Sequence, residues 1–93
     1  MNNLTDVEEL VEEKLETGST AENSLVLYND EVNSFDHVIL CLTLICDHNP
    51  IQAEQCAMIA HNMGKCMIKK GNYLKLEKMK YHLQDNNLTV EIQ

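Results

Sequence analysis

The stretch from Ser34 to Gly64 constrains this chain most, because its spacing describes two helices with a hard break between them. Ser34 or Asn33 can cap a helix whose apolar residues, Phe35, Val38, Ile39, Leu42, Ile45 and Cys46, recur at steps of three and four, the period of one helix face. Asp36 falls in the first turn, where a negative charge complements the helix dipole. Asn49-Pro50 ends this helix and begins another, since proline is tolerated in a first turn and not in a helix interior. The second helix, Ile51 to Met63, carries Ala53, Cys56, Ala57 and Ala60. Their small side chains allow a neighbour to approach closely, and Gly64 is placed to end the helix in a left-handed cap.

Strand signals flank this hairpin. Leu25-Val26-Leu27-Tyr28 reads as a strand closed by the polar run Asn29 to Ser34, and Lys65-Cys66-Met67-Ile68 as a second short strand before a Gly71-Asn72 turn. A third helix, Tyr73 to Gln84, carries Leu76, Met79, Tyr81 and Leu83, and Asp85-Asn86-Asn87 breaks it. Leu88-Thr89-Val90-Glu91-Ile92 alternates apolar and polar as a half-buried strand does. The order β-α-α-β-α-β predicts an α+β fold: a three-stranded antiparallel sheet with three helices packed on one face.

The remaining composition narrows function. A chain of 93 residues supports one small domain with a modest core. The net charge of −8 is unevenly spread: residues 1–23 hold seven acids against Lys14 alone, and residues 24–93 hold eight acids against six lysines. We therefore expect an acidic, flexible N-terminal extension over 1–23 and a folded domain over 24–93. Within the extension, Val7, Leu10, Val11 and Leu15 have the spacing of an amphipathic helix, closed by Gly18-Ser19-Thr20. There is no arginine, so the planar fork used on phosphates and base edges is missing and nucleic acid is not an expected partner. The longest apolar stretch, Val38 to Cys46, is too short for a membrane span, and no basic-then-apolar leader opens the chain. Cys41, Cys46, Cys56 and Cys66 lack a C-x-x-C pattern; they read as reduced, buried thiols in a cytoplasmic protein that needs no metal or other cofactor.

Polar chemistry concentrates in two places. Asn29-Asp30-Glu31 stands where a strand leaves the sheet, and His61-Asn62-Met63-Gly64-Lys65 closes a helix. Taken singly, Asn29 and Asp30 suit a local turn and His61 a surface position. A helical hairpin folded onto one face of the sheet can return the end of its second helix to the start of its first, and His61 could then stand beside Asn29 and Asp30. An amide oxygen, a carboxylate and an imidazole nitrogen are three acceptors, and a terminal ammonium offers three donors. The apolar faces near Val38, Ala57 and Ala60 can receive a greasy group attached to that cation. A peptide's free α-amino terminus with a bulky first side chain is such a ligand.

Through Val26-Leu27-Tyr28-Asn29-Asp30-Glu31, the helix that follows, and His61-Asn62-Met63-Gly64-Lys65 at its spacing from the Asn-Asp pair, residues 24–93 resemble the ClpS family of adaptors for the ATP-dependent Clp protease. The resemblance implies an adaptor, not an enzyme. It would bind N-degrons, proteins whose first residue is Leu, Phe, Tyr or Trp, and deliver them to the N-terminal domain of a ClpA- or ClpC-type AAA+ unfoldase. Carried over residue by residue, Asn29, Asp30 and His61 hold the α-amino group, Val38, Cys41, Ala57 and Ala60 wall the hydrophobic pocket, and Phe35 takes the gate position, commonly methionine. Glu77 and Lys78 are the candidates for unfoldase contact, residues 1–23 would assist delivery, and the protein would act as a monomer. The family often reads Thr-Pro-Met where this chain has Asn33-Ser34-Phe35, and a large apolar residue where it has Ala57.

Three other readings compete. Asp30 and His61 can form the acid-base pair of an enzyme, although no serine or cysteine nucleophile comes with the same motif. Cys41 and Cys46 with His37 or His48 can be read as metal ligands, although residues five apart on a helix do not share a face well. A small cytosolic interaction domain that binds no N-degron is the plainest alternative.

Overall fold

Side-chain caps and one glycine set the boundaries of the chain's elements. The computed structural model describes residues 22–93, in the order β1 (Asn23–Tyr28), α1 (Phe35–Cys46), α2 (Pro50–Met63), β2 (Lys65–Gly71), α3 (Tyr73–Asp85) and β3 (Val90–Ile92). Most of the acidic extension, with the stripe from Val7 to Leu15, lies outside the described residues. Each helix opens on a polar side chain that accepts from a backbone N–H three residues on: Ser34 from His37 at 3.1 Å, Asn49 from Gln52 at 2.8 Å and Asn72 from Lys75 at 2.8 Å. Each such bond satisfies an N–H that the helix cannot pair itself. Pro50 occupies the first turn of α2, and Gly64 ends that helix at φ 97°, its N–H donating to the Ala60 carbonyl at 2.9 Å. At the end of α1, the Lys69 ammonium donates to the Cys46 carbonyl at 3.1 Å, a cation on the negative end of the dipole.

The sheet is antiparallel with β1 in the centre, in the order β2-β1-β3. Tyr28 pairs with Lys65, Leu27 with Cys66 and Val26 with Met67, after which Leu25 pairs with Lys69. One extra residue of β2, Ile68, is thus accommodated as a bulge. On the other side Leu25, Val26 and Leu27 pair with Ile92, Glu91 and Val90. The observed β2 runs on to Gly71 and β3 begins only at Val90, because strand length is set by what the partner strand offers as well as by local alternation.

The three helices pack their apolar sides on the sheet. Leu25, Leu42, Leu76 and Leu83 are fully buried, in one cluster with Leu27, Cys46, Ala53, Ala60, Ile68, Leu88 and Val90. Tyr81, expected on the apolar side of α3, is exposed. Two residues from both Met79 and Leu83, it sits roughly opposite them at about 100° per residue. All four cysteines are buried and free. Burial pushes the Cys46 thiol up to about 11; burial, reinforced by a hydrogen bond with Cys66, pushes Cys56 up to about 12. Among the described residues no three His, Cys, Asp or Glu side chains converge as metal ligands would, and no helix is long and apolar enough to cross a membrane.

Candidate functional site

Asn29 and Asp30 stand where β1 leaves the sheet, and backbone chemistry decides what they meet. The Asn29 N–H donates to the Gly64 carbonyl at 3.0 Å. The end of β1 is thereby fastened to the C-terminal cap of α2, and His61, one turn earlier on α2, arrives alongside. The glycine is needed here: its left-handed φ lets the chain turn straight from α2 into β2 while presenting that carbonyl to β1.

Asp30 is committed to its own turn. Its Oδ1 accepts from the backbone N–H groups of Val32 (3.0 Å) and Asn33 (2.9 Å) and from Asn33 Nδ2 (3.1 Å), and its Oδ2 accepts from the same Nδ2 at 2.9 Å. Asn33 Nδ2 also donates to the Asn87 carbonyl at 2.8 Å, which pins the turn to the loop between α3 and β3. Nearby, His37 Nε2 donates to the Asn86 carbonyl at 2.8 Å. Burial raises the Asp30 pKa, but the bonds from Asn33, Val32 and Thr89 outweigh it and hold the carboxyl below the usual carboxylate range. Among the described residues no hydrogen bond joins Asp30 to His61, whose ring meets Phe35. The Asn29 carboxamide has no partner among the described residues, leaving its oxygen available to a donor.

Behind this rim lies a cavity of about 40 Å³, or about 360 Å³ when all empty space out to the open solvent is counted. Leu27, Val38, Ala57 and Ala60 supply apolar lining; Tyr28, Asn29, Asp30, Asn33, Phe35 and His61 complete it. An open groove continues outward over Asn29, Asp30, Glu31, Asn33, Phe35 and His61. The rings of Phe35 and His61 meet edge to face across the mouth, with centroids 5.3 Å apart and planes at 85°. This arrangement can accept hydrogen bonds from a cation at the rim while an apolar group enters behind it.

Seven of the residues singled out in the sequence therefore share one cavity: Asn29, Asp30, Phe35, Val38, Ala57, Ala60 and His61. Cys41 does not line it. That thiol is buried in the core, with Sγ 3.6 Å from His37 Nε2, one helical turn back on its own helix. Glu77 and Lys78 lie on α3, outside the cavity lining; Glu77 accepts from the Tyr81 hydroxyl at 3.3 Å. Sequence reasoning missed Asn33 as the organiser of the rim. Its signal was the Asp-x-x-Asn spacing, which places an amide three residues beyond a carboxylate in a turn. Glu31, named in the sequence only as part of the motif, has an exposed side chain on the outer groove.

Comparison with curated proteins gives no match. Among solved structures, Agrobacterium tumefaciens ClpS2 bound to L-phenylalaninamide superimposes with a TM-score of 0.72 at 15% identity, covering 77% of this chain and 94% of that one. At such identity the likeness establishes the fold. A family model described as ATP-dependent Clp protease adaptor protein ClpS matches residues 19–91. With that match spanning most of its length, the chain belongs to the ClpS family of Clp protease adaptors.

Proposed function

We propose that this protein captures polypeptides that begin with a bulky hydrophobic residue and a free α-amino group, and hands them to a ClpA- or ClpC-type AAA+ unfoldase for proteolysis by ClpP. The observation that carries this reading is one continuous cavity with an apolar lining and a polar rim. In it the first side chain lies against Leu27, Val38, Ala57 and Ala60. The ammonium lies at the rim, donating to the Asn29 amide oxygen and to His61, with the Asp30 carboxylate supplying nearby negative charge. Hydrogen bonds to a charged group contribute about 1.5–3 kcal/mol each. Acetylation removes the charge and strands the acceptors, so the site discriminates a chain's beginning from its interior. The solved relative was captured with phenylalaninamide, which carries both a free amino group and a bulky apolar side chain.

Delivery completes the proposal. Residues 24–93 form the binding domain, and the acidic segment 1–23 assists transfer to the unfoldase. Glu77 and Lys78 are offered as contacts to the unfoldase's N-terminal domain, and the adaptor works as a cytoplasmic monomer without cofactor. Titration of the protein with a Phe-initiated peptide and its N-acetylated twin tests the reading. Saturable binding of the first, with loss of at least tenfold for the second, is expected; equal binding of the two, or none, would overturn it. Recovery of the bound peptide uncleaved separates an adaptor from a hydrolase.

A further inference from the structure

The rings at the mouth carry an inference that rests on the binding role just proposed and concerns which first residues this pocket takes. Phe35 is the first residue of α1 and is 44% exposed, and its ring meets that of His61, in the last turn of α2, edge to face. Both side chains line the inner cavity as well as the outer groove. The ring pair lies where the two meet, together with Asn29, Asp30 and Asn33. The cavity measures only about 40 Å³, against about 150 Å³ for a protein cavity that accommodates benzene. No leucine or larger side chain fits until the lining moves, and Phe35 and His61 are exposed members of it.

From this we infer that the Phe35–His61 pair makes the pocket selective for aromatic first residues, Phe, Tyr and Trp, over leucine. Entry of any side chain costs the edge-to-face contact between the two rings. An entering aromatic ring restores such contacts, with Phe35 on one side and His61 on the other, and an aliphatic side chain cannot. One aromatic pair changes an equilibrium by about two- to twelvefold. With two rings flanking the guest, the Phe-initiated peptide is expected to bind about tenfold or more tightly than its Leu-initiated twin. A flexible thioether at position 35 would accommodate both.

The test is fluorescence anisotropy with peptides identical except for a first residue of Phe, Tyr, Trp or Leu, on the full chain and on Phe35→Met and Phe35→Leu. The expected result is a Phe-to-Leu affinity ratio near ten in the unaltered protein, falling to within about threefold in both variants, with the loss borne by the aromatic peptides. Far-UV circular dichroism checks that the variants are folded, and two substitutions at an exposed position guard against one that is not. A ratio within twofold in the unaltered protein, or one that persists in both variants, overturns the inference while leaving N-terminal capture standing. Failure of every free-amine peptide to bind removes the capture reading itself, and this inference with it.

Discussion

Removing the Asp30 carboxylate should damage the rim through the fold as well as through charge. Asp30→Ala deletes the acceptor of the Val32 and Asn33 N–H groups and of the Asn33 carboxamide. The Val32 bond is exposed, so that N–H returns to water at little cost. The Asn33 bonds are half-buried, and the carboxamide they orient is the one that ties the turn to Asn87. Counting the two half-buried Asn33 donors as ordinary net hydrogen bonds of about 0.5–1 kcal/mol each gives about 1–2 kcal/mol, comparable to loss of a good helix cap. With a urea m-value near 1 kcal/mol/M for a domain of this size, the midpoint should fall by about 1–2 M. Asp30→Asn, which keeps one acceptor oxygen, should lose about half as much. Glu31→Gln, at an exposed neighbour, should move the midpoint by less than about 0.3 M. Affinity for a Phe-initiated peptide should fall in the order of the stability losses within the Asp30 pair, because both losses come from one distorted turn. If Asp30→Ala moves the urea midpoint no further than Glu31→Gln does, the carboxylate does not organise the rim and this reasoning fails.

Acid provides an independent handle on the same group. A carboxyl held below its unfolded value near 3.9 stabilises fully above that value, and the contribution is lost as pH falls through the folded pKa. Urea midpoints should therefore drop more steeply below about pH 4 in the unaltered protein than in Asp30→Asn; parallel curves would contradict the assignment. Gly64→Ala introduces a Cβ that meets no atom within 4 Å but forces a left-handed φ on an L-residue, a cost of about 1–2 kcal/mol, or a melting temperature lower by roughly 5–15 °C. A melting temperature within about 2 °C of the original would show that the cap relaxes freely. The Cys46 and Cys56 thiols, raised to about 11 and 12 and buried, should resist iodoacetamide at pH 8 in the folded protein and react fully in guanidinium, as read by mass spectrometry. Rapid labelling of the native protein would mean that the core opens far more readily than its packing implies.

The sequence announced its elements clearly where a local device fixes them. Ser34, Asn49-Pro50 and Gly64 each mark a boundary by chemistry within a few residues, and the starts of α1 and α2 and the end of α2 appear within a residue of their expected places; α1 itself stops at Cys46 on a left-handed Asp47, short of the expected Asn49. A hairpin of two helices on one sheet face allowed Asn29 to meet His61, and the two do line one cavity. What was not legible depended on side-chain direction. Cys41 is three residues from the cavity-lining Val38, yet its sulfur turns toward His37 and the core. Periodicity gives a face; it does not say which edge of that face meets a cavity. Asp30 looked like an acceptor waiting for a ligand because its bonding partner, Asn33, does structural work that no apolar pattern reveals. The end of β2 depended on its partner strand: Gly71 reads as a turn residue in sequence yet pairs with Asn23 in the ladder.

The hydrogen bond from Asn29 to Gly64 also has a mechanical side. The rim hangs from the end of the central strand, which is laddered to β2 from Asn23 to Tyr28 and to β3 from Leu25 to Leu27. Tension applied to a captured chain along that strand would load both ladders in shear, many bonds together, instead of peeling them one at a time. A grip anchored in this way would resist traction with the whole sheet and not with one loop.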